Sequence, residues 1–120
     1  MTKIQNSKKY DLEDRTLEYG MRIVRLCKAL PSNGVNFKLI DQVMRSGTSM
    51  GANYREANET ETKKDFQYRI RICRKEGKET IYWLQLIIEA NQDFAERVKP
   101  LLDETIELVK IFAAIAEKSK

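Results

Sequence analysis

The sequence predicts an all-α protein, an antiparallel up-down-up-down four-helix bundle, and three observations carry that prediction. Apolar residues recur at steps of three and four, the spacing that keeps side chains on one stripe of a helix. Only two prolines and five glycines punctuate the 120 residues, and they fall where helices would have to stop or bend. No stretch shows the strict two-residue alternation of a half-buried strand.

The first helix is expected from about Leu12 to Leu30, with Asp11 as N-cap and Asp14 three residues on, before the breaker PSNG at residues 31 to 34. Gly20, Ile23, Cys27 and Leu30 line one face. The second helix, about Phe37 to Asn58, repeats Ile40, Val43, Gly47, Met50, Tyr54 and Ala57 on one stripe and then meets the polar turn ETET. The third, about Lys63 to Ala90, carries Phe66, Ile70, Cys73, Gly77, Thr80, Leu84 and Ile87 in unbroken alternation of four and three, a heptad seam of the kind that packs knobs into holes. The fourth runs to about Ala116 with two adjacent stripes, one from Leu101 through Thr105, Leu108 and Phe112, the other from Leu102 through Ile106, Val109 and Ala113. Pro100 should lie near its first turn, with Phe94 and Val98 able to add a turn before it. Short connections between such helices favour antiparallel neighbours. Gly47, Gly51 and Gly77 each cost about 0.8–1 kcal/mol relative to Ala within a helix. Close approach between helices two and three, or room for Trp83 or Phe112, would compensate.

Length and composition bound the rest. The chain fits one domain, with residues 1–10 expected to form a flexible tail, and its hydrophobic and charged shares of 42% and 33% are those of a folded helical protein. No apolar run approaches the roughly 20 residues that span a bilayer, and the first fifteen residues lack the apolar core of a secretion signal, so a cytoplasmic protein without membrane contact is expected. Cys27 and Cys73 lack C-x-x-C spacing and read as reduced, core-facing thiols. The net charge of +4 permits contact with nucleic acid without requiring it.

The segment IYWLQLII at residues 81 to 88 leaves only Gln85 polar. A helix apolar on every face must be covered on every face, so Ile81, Tyr82, Ile88 and Phe94 are expected to form the interface of a homo-oligomer.

Two E-x-x-E pairs, Glu56 with Glu59 and Glu76 with Glu79, place carboxylates one helical turn apart and suit a divalent metal, as in magnesium-dependent all-α nucleotide pyrophosphohydrolases. Against that stand Arg55, Lys75 and Lys78, whose charges would neutralise the acids as ion pairs. The absence of histidine closes the Glu-x-x-His di-iron alternative, and no Gly-rich phosphate loop is present. No catalytic residue, cofactor or metal is assigned.

Between Lys63 and Lys78 seven Lys/Arg face two acids. Asp65 with Arg69, Lys75 with Glu79 and Glu18 with Arg22 are i,i+4 partners that account for some of the charge. Lys64, Arg71, Arg74 and Lys78 have no acid four residues away and are the candidate phosphate-backbone contacts to RNA or DNA. A plain solvated face explains the same residues equally well. In an assembly, these cations would sum into a continuous positive field.

The segment RSGTSMGANYREANETETKKDF, followed by RKEGKETIYWLQLI, resembles the four-helix bundle family named after proteins encoded in intervening sequences of bacterial 23S ribosomal RNA genes. That family is also similar to the accessory variability protein of diversity-generating retroelements. The likeness spans nearly the whole chain and is most specific at Ser46, Ser49, Gly51, Ala52, Asn53, Glu56 and Ala57, at Asp65 and Phe66, and at Lys75, Glu76, Glu79, Tyr82, Trp83 and Leu84. It implies a ring-like homopentamer without established enzyme activity. For the retroelement relative it implies a basic surface that contacts nucleic acid and a reverse transcriptase. Asn53, Glu56, Lys75, Glu76 and Glu79 fall on motif positions and are expected to form a polar network joining helix two to helix three, or one subunit to the next. A scaffold whose only partners are its own copies is the remaining alternative.

Overall fold

The computed structural model describes residues 11–120, so the expected tail at residues 1–10 lies outside the described residues. Asp11 opens α1 (Leu12–Ala29) by accepting the Glu13 N–H at 3.0 Å, and Leu30 closes it ahead of Pro31. The second helix, α2 (Gly34–Asn58), starts three residues before the expected Phe37. The reason is Asn33, whose side chain accepts the Asn36 N–H at 2.8 Å and makes Gly34 the first helical residue instead of part of the breaker. Thr62 caps α3 (Lys63–Ala90), which has the expected bounds. A 3₁₀ turn (Gln92–Phe94) leads into α4 (Ala95–Lys118). Pro100 lies in the second turn of α4, which has the added turn before it that the sequence allows; it is exposed, so water can take the carbonyl that its missing N–H leaves unpaired.

Cross-helix partners descend one helix as they climb the next, the mark of an antiparallel bundle. Asn36, Arg45 and Asn53 of α2 meet Asn91, Glu76 and Arg69 of α3. Gln67 near the start of α3 donates to the carbonyl of Ala116 near the end of α4. Between α1 and α4, Arg15 meets Glu104. Among the described residues there are four α-helices and no strand. The molecule measures 44 × 31 × 19 Å, its thinnest dimension about two helix diameters.

The α3 seam holds as expected: Ile70, Cys73, Gly77, Thr80, Leu84 and Ile87 are buried, and only Phe66 at its start is partly open. In α1 the inward residue is Tyr19 rather than Gly20; Tyr19 is 1% exposed, whereas a methyl at Gly20 would meet nothing within 4 Å. Thr105 donates to the Leu101 carbonyl, so the Tyr19 hydroxyl donates to Thr105 and ties α1 to α4. Ser46 likewise donates to Thr80, which itself donates to the Glu76 carbonyl.

A Cβ at Gly47 would stand 3.0 Å from Ile23, and one at Gly51 3.1 Å from the Thr16 Oγ1, so both let α1 onto α2, a role not expected from sequence. Gly77 makes room for both α4 and α2, since its Cβ would lie 2.6 Å from the Val109 Cγ2 and 3.0 Å from the Met50 Sδ. The expected close approach of α2 to α3 is thus found there, and its neighbours are Val109 and Met50 rather than Trp83 or Phe112.

Candidate functional site

Two residues out of phase with the buried seam, α3 carries a second stripe facing solvent. Lys64, Tyr68, Arg71, Lys75, Lys78 and Tyr82 follow one another at steps of four and three, with Arg74 alongside, and all seven are exposed. The four candidate phosphate contacts thus share one face, together with Lys75 and two tyrosines. Tyr68 was not singled out from sequence, although its spacing from Lys64 and Arg71 places it on the stripe.

All three expected i,i+4 ion pairs give way to other partners. Arg45 crosses from α2 to donate to Glu79 at 2.8 Å and Glu76 at 3.3 Å. Arg69 donates to the Asn53 side chain at 2.9 Å, and Glu18 takes Arg25 in place of Arg22. Pairs along an exposed helix are worth only about 0.2–0.5 kcal/mol, so a better-placed interhelical donor displaces them. The consequence falls on Lys75, which loses Glu79 and joins the unpaired cations. Among the described residues none of Lys64, Arg71, Arg74, Lys75 and Lys78 forms an ion pair.

Between α2 and α3 the polar contacts of the expected network fall into two separate groups, Arg45 with Glu76 and Glu79, and Arg69 with Asn53, while Glu56 and Lys75 stand exposed outside both. Glu76 is buried, at 8% exposure. The same register separates the two E-x-x-E pairs. Glu56 lies beyond the level of Arg69, and seven residues of helix, about 10 Å, lie between Arg69 and Glu76. Among the described residues no group of three or more Cys, Asp or Glu is placed to hold a metal ion.

A depression of about 520 Å³ lies at the C-terminal part of the stripe, lined by Arg71, Arg74, Lys75, Lys78, Glu79, Tyr82 and Trp83. The Tyr82 and Trp83 rings meet edge to face, 5.0 Å between centroids and 70° between planes. The Trp83 indole N–H is buried with no acceptor among the described residues.

The apolar end of α3 is covered more fully than its sequence suggests. Ile88 and Phe94 are half-buried against the core and Ile81 is half-buried, leaving Tyr82 as the one of the four that is exposed, at 56%. Uncovered apolar surface lies at the start of α2, where Val35 and Phe37 are exposed by 61 and 73%, and on α1. Leu17, Met21 and Val24, exposed by 47, 42 and 38%, line a groove of about 460 Å³ whose other wall is Thr48, Gly51, Ala52 and Arg55 of α2. Their steps of four and three run beside the buried stripe of α1, and none of the three was singled out from sequence, although that spacing is legible there.

Both thiols are free and buried. Desolvation pushes Cys27 up to about 11 and Cys73 to about 12, which leaves both protonated at neutral pH. Cys73 donates to the Met50 carbonyl at 3.4 Å. Among the described residues no helix is long and apolar enough to cross a membrane.

A family model described as 23S rRNA-intervening sequence protein matches residues 8–114 of the chain. The chain is also similar to a crystal structure of a protein with unknown function from the S23 ribosomal protein family of Bacteroides thetaiotaomicron. The two are 36% identical over 88% of this chain and 98% of that one, with a TM-score of 0.81. No curated protein matches significantly.

Proposed function

The chain belongs to the 23S rRNA-intervening sequence protein family, and from that premise and its surface chemistry we propose that it is a non-enzymatic, self-associating helical bundle that binds the phosphate backbone of nucleic acid. The observation that carries this reading is the row of unpaired cations on α3. Arg45 pairs with Glu79 and Glu76, so neither acid forms an ion pair with Lys75, Lys78 or Arg74, although Glu79 lies among them, and the cations of the outward face outnumber its acids. Polyanion binding through such a row is sequence-tolerant and falls steeply with salt. Self-association is supported by the groove beside Leu17, Met21 and Val24, because apolar side chains gathered in one patch are stabilised by burial. Several copies would sum their rows into one field.

The test is fluorescence polarisation of labelled RNA and duplex DNA against the protein, with light scattering for subunit number. Retention at about 0.15 M salt and release as salt rises is expected. Arg71→Glu with Lys78→Glu should abolish it. Unchanged binding in that double variant, or no retention of either nucleic acid at low salt, would remove the basis for this function.

A further inference from the structure

The tyrosines on the stripe go beyond a phosphate-binding row. Tyr68 and Tyr82 are 62% and 56% exposed, and they bracket Arg71, Lys75 and Lys78 on one face of α3. Fourteen residues separate them, close to four helical turns and about 21 Å. A solvated basic face has no need of two large aromatic rings held in water. Cations between aromatic platforms are, however, what a single strand needs, because its phosphates follow the charges while its bases lie free to stack. A duplex keeps its base faces inside the helix and offers none to a side chain.

The cavity beside Tyr82 adds a second observation. It is an open depression on the outer face of α3, of about 520 Å³, roomy enough by volume for one base with its sugar to lie against Tyr82. Trp83 braces the phenol ring from one side, which limits the conformational freedom lost when a base stacks on it. Arg71, Arg74, Lys75 and Lys78 line the same cavity, so a base seated there has its phosphates beside them. Glu79 also lines the cavity, and its carboxylate is paired with Arg45 at 2.8 Å.

Resting on the nucleic-acid reading above, we infer that the ligand is single-stranded, with one base stacking on Tyr82 in the cavity and another on Tyr68 about 21 Å away. The intervening cations hold the connecting backbone. Recognition follows from stacking and charge, so pyrimidine and purine strands both bind.

The experiment measures a twelve-nucleotide oligo(U) and a twelve-base-pair RNA duplex against wild type, Tyr68→Ala, Tyr82→Ala, Tyr82→Phe and the Arg71→Glu/Lys78→Glu double variant. Both tyrosines are exposed, and circular dichroism verifies that each variant remains folded. Each alanine variant is expected to weaken oligo(U) binding about 5- to 150-fold, the range for loss of one stacked base, and to leave duplex binding unchanged. Tyr82→Phe keeps the ring and should bind oligo(U) as wild type does. Trp83, the sole tryptophan, should change its fluorescence when oligo(U) binds. Oligo(U) binding that survives both alanine substitutions overturns the stacking inference while leaving phosphate binding intact. Equal loss for strand and duplex overturns it too. Binding that survives the charge reversal instead overturns the phosphate reading itself.

Discussion

Asn36 and Asn91 exchange reciprocal amide hydrogen bonds of 2.9 Å, joining the start of α2 to the end of α3 across 55 residues. The remaining amide protons go to the carbonyls of Pro31 and Ile87, so both buried side chains are well satisfied and the α1–α2 loop is pinned to the pair. Removing one amide leaves the other buried without its partner. Asn91→Ala should therefore lose about 1–3 kcal/mol in urea unfolding. The Asn36→Ala/Asn91→Ala double variant should lose less than the sum of the singles, because the shared interaction can be lost only once.

Arg45 holds Glu76 and Glu79 together, yet its own side chain is 54% exposed. Loss of a partner from a fully buried ion pair costs about 3–5 kcal/mol, and solvent screening reduces that here. Arg45→Ala should cost roughly 1–2 kcal/mol by the same reasoning. Glu56→Ala and Lys75→Ala, at exposed sites outside these contacts, should stay within about 0.5 kcal/mol of wild type. Chemical denaturation of the three variants separates paired residues from bystanders.

The buried thiols give stability a dependence on alkaline pH. Their folded values of about 11 and 12 lie above the ordinary 9.0. In the unfolded chain they ionise first, so their contribution is complete below pH 9 and declines as pH rises through 11 and 12. Unfolding free energy should fall across that window, and less so in a Cys27→Ala/Cys73→Ala variant. At neutral pH a thiol reagent should label the native protein slowly and the urea-unfolded chain quickly.

Glycine substitutions should have opposite signs at two sites. Gly77→Ala drives a methyl against Val109 and Met50, and overpacking of this kind costs about 1–3 kcal/mol, more than the gain in helix propensity. Gly20→Ala meets open space and should stabilise α1 by about 0.5–1 kcal/mol. Thermal melts of the two variants should shift in opposite directions.

The groove on α1 is the surface to disrupt if copies associate there. Met21→Asp sets a charge among Leu17, Val24 and the small residues of α2. Light scattering should show smaller particles for this variant than for wild type, with unchanged helical content. Equal particle size would move the interface elsewhere, and Tyr82→Asp would then test the end of α3.

The α3 seam was readable in full because one period ran unbroken from Phe66 to Ile87, and period is a local property. The start of α2 was harder: PSNG reads as a breaker through Gly34, but the Asn33 cap makes Gly34 the first helical residue, whereas α4 starts a turn before Pro100 as Phe94 and Val98 allow. At the candidate site, sequence located the cations but misassigned their partners. Local spacing gave Glu79 to Lys75, and only the packing of α2 on α3 shows that Arg45 takes it. Nor could spacing find Asn36 and Asn91, which no periodicity relates.

The reach of Arg45 also decouples the character of one face from the composition of the whole. Basic and acidic residues number 22 and 18, a nearly even tally that suggests indifferent behaviour toward ionic media. With Glu76 and Glu79 engaged by α2, the outward side of α3 remains lopsidedly cationic. On a sulfonate column the protein should elute later than another of equal size and isoelectric point whose charges are evenly spread.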